Sequence, residues 1–283
     1  PARLTNEATG IVVPIDPSVF ATEIERLALE NMRVSLVREL SDTERALELV
    51  VDLDLRREGS NRKLQLLATG DGGLTVSIVG SGVGNPLELS RFAGSLRGRV
   101  SSDDMGLISE FFGADVSGTS DLLFWTDATA GQASTVFEVT GDARFPASDA
   151  RLPSIAFSVN GSAMLDSNES WVNIAQAAVT LEQGPVQFTD INVGLTTTDW
   201  ELLVNDLDLA SSAQLLMEAG LIPDSVREPL AAASISGTIN ALSLGGSLSG
   251  ESIQRVAVDF DDIFVKEHTP FPGVSGLSGS LIL

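Results

Sequence analysis

The chain has no cysteine and no tyrosine, a single histidine, and only 17 basic residues among 283. Without cysteine there are no disulfides, thiolate metal sites or thiol nucleophiles, although this absence names no compartment, since bacterial envelope proteins often manage without disulfides. Against the few Lys and Arg stand 39 Asp and Glu, giving a formal net charge of −22. That charge repels phosphodiester backbones and the anionic face of a bilayer, so no nucleic-acid partner is expected. No run of about 18 apolar residues occurs, and no basic leader followed by an apolar segment opens the chain. Any membrane anchor is therefore expected outside these residues. The chain begins at Pro1 and stops at Leu283 inside an apolar run, which reads as an internal segment of a longer protein. Its 43% apolar content is enough for a sizeable core, so disorder is not expected.

Catalytic signatures are sparse too. The only histidine, His268, sits between Glu267 and the turn Thr269-Pro270-Phe271-Pro272-Gly273 and reads as a surface-loop residue. A Ser-His-Asp triad would have to use it, yet no Gly-x-Ser-x-Gly elbow accompanies it. With 39 acids, candidate glycosidase pairs are too plentiful to carry meaning without geometry, and aromatic platforms for sugars are few: Trp125, Trp171 and Trp200 are the only tryptophans. The chain is not expected to be an enzyme. The acidic run Asp259, Asp261 and Asp262 lacks both EF-hand spacing and the glycine-rich nonapeptide of calcium β-rolls, and reads as an outward strand face. Gly80-Ser81-Gly82-Val83-Gly84 lacks the Lys-Ser/Thr ending of a phosphate loop and reads as a turn. No metal and no cofactor are expected.

Alternation of period two dominates what is present. Leu49, Val51, Leu53 and Leu55 occupy one face, with Val50, Asp52 and Asp54 between them and Arg56 and Arg57 following. Similar runs fall at Leu64, Leu66 and Ala68, at Leu74, Val76 and Ile78, at Ile155, Phe157 and Val159, and at Val256, Val258 and Phe260. Turn signals separate them at Asp71-Gly72-Gly73, Gly80-Ser81-Gly82, Gly131-Gln132, Asn160-Gly161 and Gly245-Gly246, Asn160-Gly161 being open to a second reading as a bulge because alternation continues to Ala163 and Leu165. The expectation is a chain of up-and-down antiparallel hairpins.

Helical periodicity is confined to three places. Residues Pro17 to Asn31 show an imperfect apolar stripe of Phe20, Ile24, Leu27 and Leu29 behind a capping Asp16. Ser102 to Phe112 is a second, and Ser211 to Ala219 followed by Asp224 to Ala232 a helical hairpin broken at Gly220 to Pro223. These helices read as plugs or caps on the sheet. The expected organisation is one continuous segment, residues 1–283, with helical elements near 17–31, 102–112 and 211–232 between β-stranded blocks 33–101, 113–210 and 233–283. Two of the helices lead into similar text, Ala114-Asp115-Val116-Ser117-Gly118-Thr119 and Ala233-Ser234-Ile235-Ser236-Gly237-Thr238, which suggests a repeated block.

The C-terminal third carries a family resemblance. Thr198-Asp199-Trp200-Glu201-Leu202, the hairpin containing Leu221-Ile222-Pro223, Ala233 to Leu242, the acidic strand Val256-Ala257-Val258-Asp259-Phe260 and the run Pro270-Phe271-Pro272-Gly273-Val274-Ser275-Gly276-Leu277-Ser278-Gly279 together resemble the YhdP branch of the AsmA-like family. The likeness covers roughly residues 170–283, and the proline-glycine turn opening the next strand is its most specific part. The resemblance implies a mainly β fold with short helices: a long, antiparallel, strongly curved sheet, folded over to form an apolar groove. It implies a place in the periplasm of diderm bacteria, in a parent protein anchored in the inner membrane, and a role in moving phospholipid towards the outer membrane. It brings no catalytic residues.

On that reading the partners are phospholipid acyl chains, and the inner and outer membranes through segments not present here. Leu49, Val51, Leu53, Leu55, Ile155, Phe157, Val159, Val256, Val258 and Phe260 are the candidates for lining the groove. The same residues could instead fill the closed core of a structural or adhesive β-scaffold of the cell envelope, which is the alternative.

Overall fold

A computed structural model describes residues 25–40, 43–84, 92–106, 109, 116–129, 131–144, 155–166, 169–181, 184–218, 224–248, 253–267 and 273–283. The chain divides into two compact units, Pro1–Ala143 and Arg144–Leu283. The fold is mainly β, and within each unit strand order follows chain order.

The first unit contains β1 (Arg26–Leu40), β2 (Thr43–Glu58), β3 (Asn61–Gly70), β4 (Thr75–Gly84), β5 (Phe92–Ser102) and β6 (Ser117–Thr129), and β7 (Gln132–Arg144) closes it. From β1 to β6 each strand pairs antiparallel with the next. The second unit runs through β8 (Ile155–Asp166), β9 (Glu169–Leu181), β10 (Gly184–Thr196) and β11 (Asp199–Asp208). Two helices follow, α1 (Leu209–Glu218) and α2 (Asp224–Ala233), and then β12 (Ser236–Ser247), β13 (Arg255–Val265) and β14 (Val274–Ile282). All six neighbouring pairs from β8 to β14 are antiparallel. The mainly β, antiparallel class with short helices read from sequence is the class observed.

Helix α1 begins at the end of β11 because Asp208 Oδ1 accepts the Ser211 amide at 2.7 Å, satisfying one of the orphan N–H groups of the first turn. Leu215 on α1 packs with Val179 and Phe188 against buried Ile155 and Val186. The helical hairpin thus falls where sequence placed it, and α1 covers part of an apolar sheet face. In the second helical region Met105, Gly106 and Ser109 are helical, while the rest of 107–112 lies outside the described residues.

The helix expected over Pro17 to Asn31 is corrected. Residues 17–24 lie outside the described part, and Arg26 to Asn31 belong to β1. Leu27 and Leu29 are spaced by two, pair with Leu55 and Leu53 and bury the face that β2 presents. A bulge between Leu29 and Met32, with Asn31 at φ 52, interrupts the alternation and hides the strand period.

Two expected turns are strand interior instead. Gly80-Ser81-Gly82 lies within β4 and Gly245-Gly246 within β12. A Cβ on Gly80 would stand 2.2 Å from Leu96 Cδ2, and one on Gly82 2.4 Å from the Phe92 ring. Gly245 lies between Glu201 and Arg255 in one cross-strand row, and Arg255 Nη2 reaches over it to Glu201 Oε1 at 2.9 Å. These glycines leave room for long side chains from the adjoining strand. Asp71-Gly72-Gly73 and Gly131 do form turns, and Asn160-Gly161 is a bulge in the β8–β9 ladder.

The repeated text has matching backbone geometry. Gly118 opens β6 at φ +130 and Gly237 opens β12 at φ +121. Each backs onto a main chain 24 or 25 residues later, Asp142 O for Gly118 and Asp262 O for Gly237.

Candidate apolar binding face

Directly paired residues of an antiparallel ladder point to the same side of the sheet, so registers convert alternation into surfaces. In the first unit one row reads Leu29, Leu53, Leu66, Ile78, Gly98 and Phe124 across β1 to β6, and the next reads Leu27, Leu55, Leu64, Gly80, Leu96 and Thr126. In the second unit Ile174, Ile191, Val204, Leu242, Val258 and Leu281 form a row from β9 to β14, which Gly161 extends onto β8. At about 4.8 Å between strands this seven-strand row spans roughly 29 Å, close to the ~30 Å hydrocarbon thickness of a bilayer.

All ten candidates lie on these apolar faces. Leu49, Val51, Leu53 and Leu55 meet Val34, Met32, Leu29 and Leu27 of β1 on one side and Gly70, Ala68, Leu66 and Leu64 of β3 on the other. Phe157 and Val159 face Val179 and Ala177, and Ile155 belongs to the cluster beneath α1. Val256, Val258 and Phe260 face Leu244, Leu242 and Ile239. The first four belong to one unit and the other six to the second, where the row through Val258 runs on to β8.

These faces are only partly covered. Val51 is 7% and Ile155 6% exposed, while Leu49, Leu53, Leu55, Phe157, Val159, Val256, Val258 and Phe260 are all half-buried. No large side chain among the described residues is fully buried. A sandwich core of interdigitated sheets would hide such residues completely. Here most members of the Leu and Val rows keep part of their surface exposed, although Val51 and Ala68 in the first unit and Val204 in the second are buried.

The reverse face is polar and cross-linked. Arg99 donates from Nε and Nη2 to the two carboxylate oxygens of Asp121, both at 2.7 Å, and this bidentate partner raises the guanidinium pKa. Asp54 lies between Arg56, in short contact, and Arg26 at 3.5 Å. Hydrogen bonding from Arg56 is the main cause of its lowered carboxyl pKa. In the second unit Asp190, in the left-handed region at φ 55, accepts from Asn205 Nδ2 at 2.8 Å, Asn192 Nδ2 at 3.0 Å and Asn173 Nδ2 at 3.3 Å. These amides lower its pKa, Asn205 most strongly.

A shallow concavity of about 630 Å³ also opens on the polar side of β2 to β6, walled by Arg56, Lys63 and Gln65 on one flank and Arg97, Trp125 and Asp127 on the other. Ser81 and Ser95 supply its floor, and Trp125 is 51% exposed. Sequence reading missed it, since Lys63, Ser81, Ser95 and Asp127 are collected only by register. Three cations, Arg56, Lys63 and Arg97, and three anions, Asp54, Glu58 and Asp127, line it, so their formal charges cancel. Most of its lining belongs to the face opposite the Leu and Val rows, and Leu64, Gly80, Leu96 and Thr126 of the second row border it as well.

No group of His, Asp and Glu among the described residues could hold a metal ion, and His268 lies outside them. No helix of the described residues is long and apolar enough to cross a membrane. Comparison with protein-family models, curated proteins and solved structures finds no match for this chain.

Proposed function

We propose that this chain is a length of periplasmic lipid-transport bridge, in which a curved sheet shields phospholipid acyl chains on its apolar face between the inner and outer membranes. The supporting observation is the unbroken apolar row from Gly161 to Leu281, which crosses seven strands with Ile174, Ile191, Leu242 and Val258 half-buried, Leu281 exposed, and Gly161 and Val204 buried. Each methylene moved into water costs about 0.8 kcal/mol, so a phospholipid with roughly thirty of them meets a barrier on the order of 20 kcal/mol when it leaves a bilayer. A continuous half-covered face of Leu, Val, Ile and Phe removes most of that cost, and the acidic reverse face keeps the structure hydrated.

Backbone groups inside such a sheet are already paired to neighbouring strands, so a lipid tail meets no unsatisfied donor or acceptor and no fixed polar anchor. Sliding along interchangeable branched side chains needs no bond-making step, and the role proposed is that of a carrier without catalysis. The parent protein would supply the inner-membrane anchor and the outer-membrane end.

The test is native mass spectrometry of the chain purified gently from a diderm bacterium, followed by lipid extraction. Phospholipid bound at defined stoichiometry supports the bridge. A lipid-free, well-folded monomer would sink it and leave the closed envelope scaffold as the better account.

A further inference from the structure

We infer that the concavity on the polar side of β2 to β6 is a binding site for a neutral saccharide of one or two pyranose rings. Its polar rows lie on the face opposite the Leu and Val rows, so the inference holds or fails apart from the lipid reading. Two cross-strand rows build it. One runs Asp54, Gln65, Val79, Arg97 and Trp125, and the next Arg56, Lys63, Ser81, Ser95 and Asp127. Val79, Ser81 and Ser95 are shorter than the residues flanking them, so the surface dips over β4 and rises at Gln65 and Lys63 on one side and at Arg97 and Trp125 on the other. The resulting space of about 630 Å³ is of the size that small ligands fill.

Ion pairing removes most of the charge from this wall. Asp54 is held by Arg56, and Lys63 by Glu58 at 2.8 Å, which leaves Arg97 and Asp127 without an ion-pair partner among the described residues. A phosphate drawn to Arg97 meets the Asp127 carboxylate, and a simple cation drawn to Asp127 meets Arg97. A neutral ligand meets neither penalty and uses both as hydrogen-bond partners, the guanidinium donating and the carboxylate accepting. Gln65, Ser81 and Ser95 also have no side-chain partner among the described residues. The wall therefore offers more donors and acceptors than a zwitterion with one group of each sign would use, and a ring of hydroxyls that each donate and accept uses them all.

Trp125 supplies the apolar contact. It is 51% exposed and stands directly opposite Arg97 on the neighbouring strand, with Asp127 two residues further along its own strand. A pyranose ring has a face of C–H groups and a rim of hydroxyls. The indole plane covers the first, while Arg97 and Asp127 beside it reach the second. An exposed indole on a face of charged and hydroxylic side chains is hydrated at a cost that this stacking relieves.

The experiment follows the indole N–H signals of Trp125, Trp171 and Trp200 by NMR in the isotope-labelled whole chain while cellobiose, diacetylchitobiose, phosphocholine or inorganic phosphate is added. The Trp125 signal, identified by its loss in Trp125→Phe, is expected to shift saturably with at least one disaccharide while the other two stay in place, and neither charged probe should move it. Affinity for that disaccharide, measured by calorimetry, should fall at least tenfold in Trp125→Ala and severalfold in Asp127→Ala. Both side chains are exposed, so neither variant removes packing on which the fold depends. Arg99→Gln, on the same face outside the concavity, should bind as the unsubstituted chain does. No shift with either disaccharide, a shift shared by all three indoles, an equal shift with phosphocholine or phosphate, or unchanged affinity in Trp125→Ala would each overturn the inference.

Discussion

The Gly118 α-carbon lies so close to the Asp142 carbonyl that a β-carbon there would stand 1.8 Å from the oxygen. Its φ of +130 is a second barrier to any other residue. Gly118→Ala should therefore lower the unfolding free energy by about 3 kcal/mol in urea titration. Gly131→Ala, at φ +91 but with open space around it, should cost only about 1 kcal/mol. Equal effects would mean that the close approach at Asp142 relaxes without cost.

Asp190 sets a pH dependence whose sign follows from its lowered pKa. A carboxyl depressed in the folded state contributes stability above its unfolded pKa, near 3.8, and loses it as pH falls through the folded value. Asp190→Asn keeps a residue tolerant of φ 55 but places an amide donor against the amides of Asn173, Asn192 and Asn205. The urea midpoints of the two proteins should differ at pH 7 and converge as pH drops below about 4. A constant difference down to pH 2 would show that the Asp190 charge is irrelevant.

On α1, two neighbouring positions should respond in opposite directions. Ser212 Oγ is buried without a hydrogen-bond partner, so Ser212→Ala should raise stability by about 0.5–1 kcal/mol, from better helix propensity and the lost desolvation penalty. Leu215 packs on Ile155 and Val186, and Leu215→Ala should cost about 2 kcal/mol. Thermal melts of both variants would check this, and a neutral Leu215→Ala would show that α1 does not seal that part of the face.

Adjacent residues on β2 point to opposite faces, which gives a sharp test of the lipid reading. A photo-crosslinking residue at Leu53, within the row Leu29, Leu53 and Leu66, should capture phospholipid in cells, and the same residue at Asp52 should capture at least tenfold less. Equal capture would mean that any lipid present is not held by the apolar face.

Two levels of information are separable. Leu49 to Leu55 and Ile155 to Val159 announce their strands and their apolar side directly, because alternation is a local consequence of the pleat. The α1–α2 hairpin was readable for the same reason, its apolar period and the breaking Gly220 to Pro223 being close in sequence. Gly80, Gly82 and Gly245 were misread as turns because the cause of each glycine sits on another strand, at Leu96, at Phe92 and at Arg255.

Sequence alone determined that this protein is a mainly β, acidic chain with one apolar face per strand, since side-chain alternation and composition need no partner to be expressed. Tertiary structure decided which strands lie side by side, that Arg26 to Asn31 extend β1 rather than a helix, and that the rows stay half-covered. It also brought Lys63, Arg97 and Trp125 together on the polar face. Those outcomes depend on register, and register is a property of pairs of strands that no single strand contains.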